Sequence, residues 1–256
     1  HPDHHHGCLY GACLFQKSPN RKETKSSFTK FMMNSDRILF EDNHVIVVNK
    51  LPSELTQGDK TGDATLPDLI KTYLKEKYQK PGNVFLGVVH RLDRPTSGAL
   101  VFARTSKALE RLNAQFRDKE TNKVYWAIVS QKPAQNSGTL VQYLKKNESQ
   151  NKSYVVSADT PGAKKAILHY QFLKSSERYH LLEIKLETGR HHQIRCQLAN
   201  LGCVIKGDLK YGDKRSNPDG SICLHARTLA FQHPTSKETI GVVAPLPELG
   251  IWAAFK

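Results

Sequence analysis

Asp93 is the residue around which chemistry can be built. It lies in HRLDRPTSG, residues 90–98, with Arg91 and Arg94 on either side. Two guanidinium groups beside one carboxylate favour its ionised form, which serves as nucleophile or base. Pro95 holds Arg94 in extended backbone, and Gly98 permits a tight turn. Thr96 and Ser97 can bond loop amides or the carboxylate. The plainer alternative is a well-bonded turn with surface ion pairs. In KVYWAIV, Tyr125 alternates with Val124, Trp126 and Ile128, and shares a face with Lys123 and Ala127. A tyrosine beside a small residue on a polar face can stack on a nucleobase; taken alone it reads better as an ordinary strand tyrosine. In TGRHHQIRCQLANLG, residues 188–202, Arg190, His191 and His192 crowd a helix start, where amides can hold anions. Arg195, beside Ile194, sits close to an apolar stripe, where a guanidinium needs a carboxylate partner. The alternative there is a solvated basic face that binds phosphate.

These groups need strands and helix ends to hold them. ILFEDNHVIVVNK reads as two short strands about a turn at Asp42-Asn43. Thr65 and Asp68 form a capping box for a helix whose Leu66, Leu69, Ile70, Tyr73, Leu74 and Tyr78 share a buried face, stopped by Pro81-Gly82. Strands are predicted over 84–90, 99–103, 123–130, 139–144, 166–173 and 179–187. In the last of these, Leu182, Ile184 and Leu186 alternate with Glu183, Lys185 and Glu187, the pattern of a half-exposed antiparallel strand. A second helix starts near Ser106 and buries Leu109, Leu112 and Phe116, and a third ends at Gly202. The fold class is α+β, a mostly antiparallel mixed sheet with a few flanking helices. Residues 1–35 read as a flexible tail and 36–256 as the ordered domain. His4, His5, His6, Cys8 and Cys13 lack a paired C-x-x-C arrangement, so no structural metal is expected.

Lys plus Arg number 38 against 24 acidic residues, a net charge of +14, so the chain attracts polyanions, nucleic acid first among them. An anionic membrane surface fits less well, since no strongly basic amphipathic helix stands out. No apolar run is long enough to span a bilayer, and no secretory leader pattern is present. The five irregularly spaced cysteines point to a reducing compartment, and the expected location is cytoplasmic.

Taken in order, HRLDRPTSG, KVYWA, TGRHHQIR…LGCVIKGDLKYG and LHARTLAFQHP resemble the motifs of the RluA-type pseudouridine synthases, from about residue 37 to the C-terminus. The resemblance implies the pseudouridine synthase fold with a central catalytic cleft. It implies that Asp93 is the catalytic aspartate, that Tyr125 packs against the target base, and that Arg195, rather than Arg190, pairs with the carboxylate. It also implies that Arg91 enters the RNA where the base leaves its stack, and that Ile194 lies beneath the base. Arg94, Arg190 and His191 are further expected RNA contacts. The reaction implied, isomerisation of uridine within ribosomal or transfer RNA, gains and loses no atom, so neither cofactor nor metal is expected. A monomer is expected, with no membrane partner. The chain departs from the pattern in two places: Gln197 stands where a histidine is common, and NKLPSEL replaces N-K-P-x-G-L, with Pro52 displaced and no glycine. About 35 residues before the domain are too few for the S4 RNA-binding domain many relatives carry.

Other readings fail on particular residues. A kinase needs H-R-D-x-x-x-x-N and a glycine-rich loop. A metal-free nuclease would use His191 and His192, but adjacency on a helix points their rings apart. A non-catalytic RNA-binding module explains +14 but not an ionised aspartate in a positive cleft. The sharpest structural expectation is a planar, bidentate ion pair between Asp93 and Arg195.

Overall fold

The computed structural model describes residues 33–256. His4, His5, His6, Cys8 and Cys13, and all but the end of the expected tail, lie outside the described residues. Asn34 caps a short 3₁₀ turn, Ser35–Arg37, whose Arg37 is buried against Glu54.

The described residues form one large mixed sheet with four helices. Its strands are β1 (Ile38–Glu41), β2 (Val45–Lys50), β3 (Gly87–Val88), β4 (Ser97–Ala103), β5 (Asn122–Val129), β6 (Ser137–Asn147), β7 (Lys152–Val156), β8 (Lys164–Ser175), β9 (His180–Leu186), β10 (Leu224–Gln232) and β11 (Thr239–Val243). The order is β1-β2-β4-β10-β5-β9-β8-β6-β7, with β3 added to β4 and β11 to β10. Every pairing is antiparallel except β4 with β10.

The helices follow from where apolar side chains fall. In β2 and β4 almost every residue is buried, as in strands covered on both faces. Ile46, Val48, Leu100 and Phe102 share a core with Leu66, Ile70 and Leu74 of α1 (Leu66–Lys77). Val45, Val47, Ala99 and Val101 share another with Ala108 and Leu112 of α2 (Ser106–Arg117). The Thr65–Asp68 capping box is present. The apolar face of α1 is narrower than predicted, because Tyr78 caps the helix at the surface and bonds Glu41. In α2, Gln115 takes a buried place and Phe116 only a partial one, since the Gln115 amide bonds both backbone groups of Gln232. α3 (Gln193–Asn200) lies against β6 and β7, and α4 (Gly250–Ala253) buries Trp252.

The predicted strand 84–90 shrinks to Gly87–Val88. Its far end is lost because the His90 ring, through Nε2, accepts the Val101 amide of β4 and occupies a ladder position. The sequence reading missed β7 and β11 and quoted β10 only as a motif. β9 alternates as expected, with Leu182 and Ile184 buried and Lys185 and Glu187 exposed.

One row of residues crosses the sheet centre. Gly98 of β4 pairs with Ala226 of β10, Ala226 with Tyr125 of β5, and Tyr125 with Ile184 of β9. The parallel contact of β4 and β10 lasts only two residues, after which β10 turns to β11 and β4 to β3. The loop bearing Asp93 enters β4 at this split. No described helix is long and apolar enough to cross a membrane.

Candidate active site

The Asp93 loop is fixed from several sides. Lys50, fully buried, donates from Nζ to the carbonyls of Leu51 (3.1 Å), Arg94 (2.9 Å) and Thr96 (2.5 Å). The Thr96 amide donates to the Asp93 carbonyl, and Ser97 Oγ lies 2.7 Å from Nδ1 of buried His225. Gly98 has φ +126, and a methyl there would sit 2.6 Å from Ala226 Cα, so only glycine lets β4 and β10 meet. The carboxylate of Asp93 is left 27% exposed, facing a cleft of about 810 Å³. Arg91, Tyr125, Ile194, Arg195 and Leu224 line the same cleft.

Arg195 is buried, and its Nη1 lies 3.5 Å from Asp93 Oδ2, across 102 residues of sequence. The bidentate partner, however, is not Asp93 but Asp208: Nε and Nη2 donate to Oδ2 and Oδ1 at 2.8 and 2.9 Å. Asp208 is 1% exposed, and a buried guanidinium is compensated best by an equally buried, fully matched carboxylate. Burial alone would lower the Arg195 pKa, but the Asp208 bonds and charge reverse this and raise it. The guanidinium also lies over the Tyr211 ring, 5.1 Å from its centroid.

Tyr125 lies on a different kind of face from the one predicted. With Ala127 it belongs to the core, because β5 is covered there by its neighbours, and only its edge reaches the cleft. Burial, and secondarily the charge of Asp93, pushes its phenol above the usual range, so it stays protonated. His191 and His192 do not point apart. His192 has a left-handed backbone (φ +52) just outside α3, and the two rings stack at 3.7 Å and 23°.

The remaining expected residues are distributed as follows. Arg91 is exposed at the cleft and Ile194 is buried at its wall. The Arg94 guanidinium is engaged by the Ser53 carbonyl (2.9 Å), Asp63 (2.7 Å) and Asp59 (3.5 Å), tying the 51–63 loop to Asp93. Arg190 is exposed and donates from Nε to the Lys165 carbonyl. Gln197 is fully buried and bonds Gln142 of β6, so this departure from the family pattern falls on packing and not on the cleft edge. In NKLPSEL, Ser53 takes the fifth position, the glycine's place, and adopts φ +72.

Sequence reasoning missed Lys50, Asp208 and Tyr211. The signal for the last two was GDLKYG, where Gly207 (φ +90) and Gly212 (φ +116) bracket an acid and an aromatic ring. Among the described residues, no group of His, Cys, Asp and Glu has the arrangement of a metal site.

The family model described as RNA pseudouridylate synthase matches residues 44–200. The uncharacterized RNA pseudouridine synthase slr1629 of Synechocystis is 33% identical over 82% of this chain, which spans 65% of that relative's length. Ribosomal large subunit pseudouridine synthase D of Zymomonas mobilis is 34% identical over 82% of this chain and 69% of its own. The solved structure of human RNA pseudouridylate synthase domain containing 4 has the same fold, with a TM-score of 0.71 at 23% identity over 90% of this chain and 95% of that one. With the mixed sheet, the cleft and the matched segments together, the chain belongs to the RNA pseudouridylate synthase family, isomerases that act on RNA.

Proposed function

We propose that this chain isomerises specific uridines to pseudouridine in ribosomal RNA, with Asp93 as the essential carboxylate. The observation that carries the reading is the carboxylate of Asp93, facing a cleft also lined by Arg91, Lys123 and Arg190, 3.5 Å from Arg195 and in the same lining as the protonated phenol of Tyr125. The reaction breaks the carbon–nitrogen glycosidic bond, turns the uracil and rejoins it through carbon. A paired or stacked uridine must first be flipped into the cleft. Asp93 then attacks the ribose anomeric carbon, attacks the uracil ring, or removes a ribose proton; each route uses an ionised carboxylate. Arg195 keeps that carboxylate charged and aimed, and Tyr125 confines the detached base beside Ile194. Arg91 takes the gap left in the RNA, while Arg190 and His191 hold phosphates at the mouth.

The ribosomal names of bacterial relatives favour ribosomal RNA over transfer RNA and a cytoplasmic place of action. The test is to incubate the chain with large-subunit ribosomal RNA and with transfer RNA transcripts and to measure pseudouridine by mass spectrometry. Asp93→Asn is expected to abolish the product and leave RNA affinity nearly intact, since it keeps shape and removes a charge that opposes phosphate. Product formed by Asp93→Asn at a rate near that of the parent protein would overturn the assignment.

A further inference from the structure

Arg195 gives two of its nitrogens to Asp208, and the third, Nη1, faces Asp93. Nη1 carries two protons and has two neighbours: Asp93 Oδ2 at 3.5 Å and His192 Nε2 at 3.2 Å. A guanidinium only donates, so Nε2 must accept. The ring proton then lies on Nδ1, which donates to Tyr211 Oη at 2.8 Å. Tyr211 is itself held by the Ser153 amide at 2.9 Å. The left-handed backbone of His192 swings its ring off the axis of α3 and back over Asp93, with Nε2 3.8 Å from Oδ1. His191 stacks on the outer face and is anchored to Ser153 by its own Nδ1.

Building on the reading of Asp93 as the reacting carboxylate, we propose that His192 is a positioning residue: its neutral ring accepts one Nη1 proton of Arg195 and thereby directs the other at Asp93. Without that acceptor, Asp93 is the one remaining hydrogen-bond partner of Nη1, the planar guanidinium can pivot about its Asp208 bonds, and the carboxylate loses its fixed direction. A charged ring would turn an N–H toward the guanidinium and break the arrangement. Desolvation first, and then the charge of Arg195, holds the His192 pKa at about 2, so the ring stays neutral.

The experiment is single-turnover pseudouridine formation at saturating RNA, with RNA Kd and thermal midpoint measured on the same samples. His192→Phe keeps the ring and its stacking but has no acceptor, and His192→Gln returns an acceptor at about the reach of Nε2. His192→Phe is expected to lose turnover about 10- to 100-fold, the range a misaimed catalytic group costs, with RNA Kd within about twofold. His192→Gln is expected to regain much of the loss. Parental turnover in His192→Phe overturns the proposal, as does equal loss in both variants. Should His192→Phe not fold, Tyr211→Phe deletes only the hydroxyl that fixes Nδ1. It is then expected to slow turnover several-fold at unchanged Kd, and an unchanged rate overturns the proposal. An active Asp93→Asn sinks the underlying reading; an inactive Asp93→Asn beside a fully active His192→Phe sinks this inference alone.

Discussion

Arg195 faces two carboxylates, and they should differ in what they do. Asp208 meets it bidentately at 2.8 and 2.9 Å with 1% exposure. Asp93 makes one contact at 3.5 Å and is 27% exposed. Removing one partner of a buried, matched pair leaves an uncompensated charge, at a cost of about 3–5 kcal/mol. Asn at 208 keeps one acceptor oxygen, so Asp208→Asn should cost about 3 kcal/mol, the lower end of that range. The single, partly solvated contact of Asp93 is in the class that contributes up to about 1 kcal/mol. In urea, with a slope of about 2 kcal/mol per molar, the midpoints should fall by about 1.5 M for Asp208→Asn and by no more than about 0.5 M for Asp93→Asn. Buried Trp252 offers a fluorescence signal for unfolding, checked against circular dichroism. Activity should run the other way: Asp208→Asn folded at low temperature retains measurable pseudouridine formation, and Asp93→Asn retains none. Equal midpoint shifts for the two variants would refute this division of labour, because they would mean that Arg195 leans on both carboxylates alike.

Gly98→Ala should prevent stable folding or cost upward of about 3 kcal/mol, since it combines φ +126 with a methyl driven into the Ala226 backbone; soluble yield and urea midpoint report it, and a parental midpoint contradicts the close approach. Burial depresses the Lys50 pKa from 10.5 to about 7, against the opposing pull of Glu54 and Asp93. The unfolded chain therefore binds this proton more tightly, and the Lys50 contribution to stability is full above about pH 10.5 and lost as pH falls to 7. The difference in unfolding free energy between the parent and Lys50→Met should shift in the parent's favour by roughly 2 kcal/mol between pH 7.5 and 9.5. A flat difference would mean that the three carbonyl acceptors hold the ammonium charged throughout.

What could be read from the sequence was whatever chain neighbours determine. The Thr65–Asp68 cap, the alternation of β9 and the turn at Asp42-Asn43 are local patterns, and each has its predicted form. Asp93 and Arg195 were legible as charges that need partners. What was not legible depends on contacts between distant segments. Asp208 and Arg195 are 13 residues apart and are brought together by a chain that turns at Gly202 and Gly207. Tyr125 looked polar-facing because its neighbour Lys123 is charged, and only the assembled sheet puts that face under cover. His90 ended a strand because its ring competes with backbone for the Val101 amide, which no propensity encodes.

The row from Gly98 through Ala226 to Tyr125 works as a ruler. Strands sit about 4.8 Å apart, so the segment bearing the carboxylate and the one bearing the phenol are separated by two such steps, roughly 10 Å of backbone lattice. Peptide hydrogen bonds set that gap, and side-chain volume has little leverage over it. Drift in core composition can therefore accumulate without changing the width of the cleft, provided the glycine at the end of the row is kept. The 51–63 loop and the turn between β6 and β7 border the cleft away from that row, so their residues can vary without moving the gap.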